Sequence, residues 1–252
     1  MNDPLESAKY MLARAKKHTL DLDRECGIYL DSNPFTRISE TYLEAKKHVQ
    51  KVKLIKPLPV MLNGIAADAI GNLRAALDQC GYAVSIAAGG KGKNTYFPFG
   101  DTADEVKSRK TGGSKEIPDE IFAVMESFKP YLGGDDLLWA LNKLCNTNKH
   151  RILAPVVIAN AHYGIDRISW TGPGTHSIFP EWDSANNEMI FFEGTAESAY
   201  YFKGQVAICV SFAEIDVTRN TPAAAVLDTL CGKIDSILMG VEAEARRIGI
   251  FK

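Results

Sequence analysis

Up to Arg151 most apolar residues recur at alternating steps of three and four, and beyond it they come in short runs rich in Val, Ile, Phe and Trp. This change of period constrains the fold more than any other feature. A stripe at helical spacing is buried as one face of a helix, whereas short β-branched and aromatic runs between turn residues pair as strands. Leu5, Ala8, Leu12, Ala15, Thr19, Leu22, Cys26 and Tyr29 predict a helix over about 3–30, stopped by Asn33-Pro34. Ile65, Ala69, Leu73, Leu77, Cys80 and Val84 predict a second over 60–88. Gly64, Gly71 and Gly81 interrupt it; each costs about 1 kcal/mol relative to Ala, so close backbone packing is expected to offset them. Further helices are predicted over 118–129, ended by Pro130, and over 136–150, with Asp135 as N-cap.

After Arg151, ILAPVVIA, DRISW, SIFPEW, EMIFFE and QVAICVSFAEI read as an antiparallel meander. Thr221 as N-cap and Pro222 at the first helical position open a closing helix over 221–248. Residues 36–56 fit helical spacing or a hairpin whose second strand, KVKLIKPLP, reads as a charged edge; the hairpin is preferred. Segregated helices and strands predict an α+β fold: a helical layer packed on an antiparallel sheet built mainly from residues 152–217. No long linker or repeat divides the chain. A single domain over 1–252 is expected, with a helical part (1–151), a strand-rich part (152–220) and the closing helix.

With 29 basic against 31 acidic side chains and 46% hydrophobic residues, the chain has an ordinary globular composition without the overall basic field of a DNA-coating protein. No apolar run reaches the roughly 20 residues of a membrane helix. The charged N-terminus does not resemble a secretory signal, so a cytoplasmic protein without membrane contact is expected. Five cysteines, odd in number and without a C-x-x-C pair, argue against a disulfide framework or zinc site. Cys80, Cys145 and Cys209 read as buried, reduced thiols. The stretch AAGGKGKN fails the phosphate-loop pattern, with Ala87 and Asn94 where a Gly and a Ser or Thr belong, and reads as a mobile loop. The five histidines form no metal-binding pair, Glu181 to Glu197 read as a solvated acidic face, and no G-x-S-x-G elbow occurs. No cofactor is implied.

One polar cluster stands out. Asn72, Arg74, Asp78 and Gln79 interrupt the second helix; Asn142, Asn146 and Lys149 lie at steps of four and three on the fourth, followed by His150 and Arg151. Arg74 and Asp78 at i,i+4 can be a simple ion pair, and Lys149, His150 and Arg151 complement a helix C-terminus. Yet three asparagines in seven residues are poor helix material. The cluster therefore reads either as a structural polar network or as a ligand site, with Lys149 to Arg151 as the cationic corner for an anion.

The chain resembles here a bacterial protein family without an established activity. Its members share a motif near NLRSALDH, a short FPI, a helix ending near QPY and a helix ending near NIDKHR. This chain reads NLRAALDQ at Asn72 to Gln79, FPF at Phe97 to Phe99, KPY at Lys129 to Tyr131 and LWALNKLCNTNKHR at Leu138 to Arg151. NPF at Asn33 to Phe35 resembles the family's proline-aromatic step before a hairpin. The resemblance covers about residues 33–155 and implies no activity. The family's arginine and histidine, four residues apart in between, are similar to the R-x4-6-H motif of HEPN ribonucleases and toxins. Those are helical, commonly dimeric proteins that cleave RNA without metal, the arginine stabilising phosphate charge and the histidine moving protons. Arg74 matches the arginine, but Gln79 stands at the histidine position and cannot act as acid or base. Two expectations follow. The first is a non-catalytic or regulatory homo-oligomer binding a small anionic or nucleotide-like ligand through Asn72, Arg74, Asp78, Asn142, Asn146, Lys149, His150 and Arg151. The alternative is a HEPN-like, metal-independent ribonuclease of toxin or defence type acting on RNA through Arg74 and His150.

Overall fold

In the computed structural model, which describes residues 3–146, 153–157, 165–177, 182–183, 185–204, 208–212, 215–218 and 221–252, the stripe beginning near Leu5 forms α1 (Glu6–Asp31). Ala8, Leu12, Ala15, Thr19, Leu22 and Tyr29 are its buried side, and the chain leaves it through Asn33 at φ 50 before Pro34. The second stripe forms α2 (Val60–Ala87), which lies along α1. α4 (Asp119–Ser127), α5 (Asp136–Asn146) and α6 (Ala223–Arg247) complete the helical body, with α6 against α1, α2, α4 and α5. Leu73, Leu77, Ile121, Leu141, Leu227, Leu230 and Ile234 meet there without solvent exposure. Each stabilises the fold by about 1.5–3 kcal/mol relative to an exposed position. No helix among the described residues is long and apolar enough to cross a membrane.

The hairpin reading of residues 36–56 holds as β1 (Phe35–Tyr42) and β2 (Lys47–Leu54). Along the chain follow β3 (Leu153–Val157), β4 (Ile165–Thr171), β5 (Gly174–His176), β6 (Glu188–Thr195), β7 (Ala199–Gly204) and β8 (Ile208–Phe212). All pairings are antiparallel. β1, β2, β6 and β5 form one sheet in that order, and β3 with β8 and β4 with β7 form two-stranded ribbons. The molecule is thus α+β, but half the strands of its largest sheet come from the N-terminal hairpin. β2 is central, not an edge. Its lysine pattern misleads because Lys51, only 7% exposed, places its ammonium 2.8 Å from Glu40 on β1 and 2.9 Å from Glu188 on β6. Carboxylates on both flanking strands make a buried lysine tolerable.

Four details differ from the sequence reading. A short helix, α3 (Ala103–Ser108), capped by Thr102 and continued by a 3-10 turn, precedes α4. Pro222 sits just before α6 rather than inside its first turn, and no side chain caps that helix. Close packing accounts for Gly81, where an added Cβ would lie 2.0 Å from the Thr95 carbonyl oxygen, but at Gly64 and Gly71 it would meet nothing within 4 Å. The glycine-rich loop is pinned: Glu116 Oε2 accepts hydrogen bonds from the Lys91 and Lys93 amides at 2.8 and 3.3 Å.

Candidate functional site

The polar cluster forms where α2, α5 and the extended segment Phe97–Asp101 meet. NLRAALDQ is helical because its apolar residues, Leu73, Ala76 and Leu77, fall on the buried side of α2. Arg74 and Asp78, one turn apart, are left at the border of that side. Arg74 Nε donates to Asp78 Oδ2 at 3.1 Å, and an Arg74 Nη donates to Asn142 Oδ1 on α5. The guanidinium carbon lies 4.5 Å from the centre of the Phe99 ring. Asp78 uses its other oxygen to accept the Phe97 amide at 3.1 Å. Five residues from three separate motifs are thus joined, and the FPF segment is held at both aromatic positions.

A second knot lies beside the first. Asp101 accepts from Trp139 Nε1 at 2.8 Å and pairs with Lys143 at 2.7 Å, while Lys143 also lies 5.4 Å from the Trp139 ring centre. The Lys143 and Trp139 hydrogen bonds hold the Asp101 carboxyl below its usual range. Arg109 Nε donates to the Phe99 carbonyl at 3.0 Å. Phe97 to Asp101 is therefore fastened from α2, α5 and the turn after α3, without belonging to any strand.

Other members of the cluster do not join it. Asn72 Nδ2 donates to the Asp68 carbonyl at 2.7 Å and Asn146 Nδ2 to the Asn142 carbonyl at 2.9 Å, each within its own helix. Gln79, at the position of the family's histidine, is exposed, with its side-chain oxygen 3.4 Å from Ser7 Oγ on α1. Lys149, His150 and Arg151 lie outside the described residues. Arg74 and Asp78 are 23% and 29% exposed, so the pair is sheltered.

No protein-family model, curated protein or solved structure matches this chain. Residue roles here rest on geometry alone.

Chemically, the Arg74 constellation holds segments together. A guanidinium that donates inward to a carboxylate and an amide, with a ring over its face, presents little of its fork to an incoming phosphate. Three of the thiols are poor nucleophiles: burial pushes Cys80 and Cys26 up to about 12 and Cys209 up to about 11.

Sequence reading overlooked an aromatic cluster in the sheet half. A bulge on β6, where the pairing with β2 shifts between Gln50 and Lys51, lets consecutive Phe191 and Phe192 reach the same cluster. β7 sets Tyr200 against them, with ring centres 5.8 and 4.4 Å away. His176 stacks between Tyr200 and Trp170, its Nδ1 3.1 Å from the Tyr200 hydroxyl. Arg37 from β1 lies 4.5 Å over Phe202. Burial holds the His176 imidazole below its ordinary pKa, hence neutral near pH 7. The only sequence signal for the cluster was aromatic spacing in EMIFFE and AYYF, which is equally what a plain core strand shows. A cavity of about 710 Å³ adjoins it, between the β1–β2 turn, β5 and β6, with Lys47 and Glu193 paired on its wall.

Proposed function

We propose that the chain is a cytoplasmic, non-catalytic or regulatory protein, acting as a homo-oligomer, in which the NLRAALDQ and FPF motifs are structural. The observation that carries this reading is the engagement of Arg74 by Asp78, Asn142 and Phe99. An arginine kept for phosphate would project its fork towards solvent or a cleft. Gln79 supports the same reading, because a ribonuclease of the HEPN type needs a proton-transfer group there. In this proposal the small anionic or nucleotide-like ligand belongs to Lys149, His150 and Arg151, and Asn72, Asn142 and Asn146 serve their own helices.

The test is direct. Purified protein incubated with single-stranded RNA in chelator is expected to leave the RNA intact. Arg74→Ala is expected to lower stability by about 1–3 kcal/mol by leaving Asp78 and Asn142 short of a partner. Metal-independent RNA cleavage that His150→Ala abolishes at unchanged thermal stability would overturn the reading in favour of a ribonuclease using Arg74 and His150.

A further inference from the structure

The loop Gly89–Asn94, which fails the phosphate-loop pattern, is folded around an oxyanion. Its anion is the protein's own Glu116. Oε2 of that carboxylate accepts the Lys91 amide at 2.8 Å, the Lys93 amide at 3.3 Å and the Ser85 hydroxyl at 3.1 Å. Ser85, on the last turn of α2, is fully buried. The Lys91 and Lys93 backbone N–H groups converge on one oxygen as a nest does, an arrangement that binds carboxylate and phosphate oxygens alike. The glycines make it possible. Gly92 has φ +69 and lies so close to the Tyr82 ring that a Cβ would fall 2.3 Å from it, and at Gly90 a Cβ would fall 2.3 Å from Ser85 Oγ.

The charge around the nest exceeds what Glu116 supplies. Lys91, Lys93 and Lys115 are exposed, and no ion pair engages any of them among the described residues. One cation complements the negative pole of the α2 C-terminus. With Glu116 the only carboxylate seated in the nest among the described residues, a surplus of positive charge remains at a preformed set of anion donors. A carboxylate carries one negative charge and phosphate near neutral pH up to two, so phosphate matches this site better than its present occupant.

We propose that the Gly89–Asn94 nest is a phosphate site, taking inorganic phosphate or the terminal phosphate of a small molecule, and that Glu116 is a tethered competitor which the ligand displaces. The Lys91 and Lys93 amides and the Ser85 hydroxyl receive the phosphate oxygens, and the Lys91, Lys93 and Lys115 ammonium groups balance its charge. Displaced Glu116 turns its carboxylate to solvent, and the 113–117 segment loses its side-chain tie to the loop while the Glu116 amide keeps its bond to the Asn94 carbonyl. Binding at the nest is thereby coupled to the stretch between α3 and α4. The site is separate from Lys149, His150 and Arg151 and holds whether or not those residues bind anything.

The full-length protein, labelled with nitrogen-15, is titrated with sodium phosphate and, in parallel, with glycerol phosphate at constant ionic strength. The expected result is a saturable shift of the Lys91, Gly92 and Lys93 amides in both titrations. Response to inorganic phosphate alone would restrict the ligand to the free anion, and response to the ester alone to a phosphorylated metabolite; both support the site. Glu116→Ala removes the competitor and is expected to tighten phosphate binding by about tenfold, whereas Lys91→Gln combined with Lys93→Gln weakens it by a similar factor. Should the alanine variant fail to fold, Glu116→Gln, close in shape and uncharged, carries the same expectation. The proposal is overturned if phosphate moves none of the three amides in the parent protein and in the Glu116 variant, or if the variant binds no more tightly than the parent. A purely structural latch gives that second outcome.

Discussion

Lys51 occupies a central strand with its ammonium between Glu40 and Glu188. Desolvation works against its charge, the hydrogen bonds from the two carboxylates outweigh it, and the net effect raises the lysine pKa. Deleting one member of such a trio costs more than the trio contributes, because a carboxylate is then left partly buried and unpaired. Lys51→Met is therefore expected to lower unfolding free energy by about 1–3 kcal/mol, most of it recovered when Glu188→Leu is added. Urea denaturation of the single and double variants measures this, and a double variant as weak as the single would show that the lysine matters for something other than its charge. Arg74 is its counterpart in the helical half. There a residue that reads as catalytic from its motif is explained by Asp78, Asn142 and Phe99, partners that lie outside its own helix in two cases out of three.

At the scale of elements, α2 carries three glycines that look alike in sequence and differ in their surroundings. Gly81 touches the Thr95 carbonyl, so Gly81→Ala forces backbone apart and is expected to destabilise by about 1–3 kcal/mol. Gly71 is exposed with open space where a Cβ would go, so Gly71→Ala is expected to stabilise by about 0.5–1 kcal/mol through helix propensity alone. Thermal melts of the two variants separate the cases by the sign of the shift. Helix positions were legible because the apolar stripes of α1, α2, α4, α5 and α6 are set by residues three and four apart. The hairpin Phe35–Leu54 was ambiguous because its central strand is buried on a run of Val49, Gln50, Lys51 and Val52 that lacks the strict alternation of a half-buried strand. α3 was missed because six residues are too few to show a period.

For the whole molecule, two apolar cores meet. The helical core takes in Leu153, Val210 and Phe212 from β3 and β8, and the sheet core gathers Val52, Met189, Phe191 and Phe192. β8 reaches both, since Ile208 packs on the sheet core while Val210 and Phe212 belong to the other. Tyr29 at the end of α1 meets Phe35 edge-on at 6.4 Å, and Phe35 meets Trp182 at 6.1 Å. With these links the molecule is expected to unfold in one transition. Leu73→Ala in one core and Phe192→Ala in the other, each costing about 2–5 kcal/mol, are expected to move the same midpoint, followed by far-ultraviolet circular dichroism and by tryptophan fluorescence. Two separated transitions would show that the cores are independent.

What the sequence by itself determined is the placing of α1, α2, α4, α5 and α6, the α+β class and the residue types of the Asn72–Gln79 cluster, since these depend on neighbours within one or two turns. Only the tertiary structure decided that Arg74 is turned inward, that Lys51 lies at the centre of a sheet and that Glu116 fills the Gly89–Asn94 loop. In each case the deciding partner is between 23 and 137 residues away along the chain, as from Glu116 to Lys93 and from Lys51 to Glu188. Local periodicity carries no information about charge and hydrogen-bond pairing at such separations.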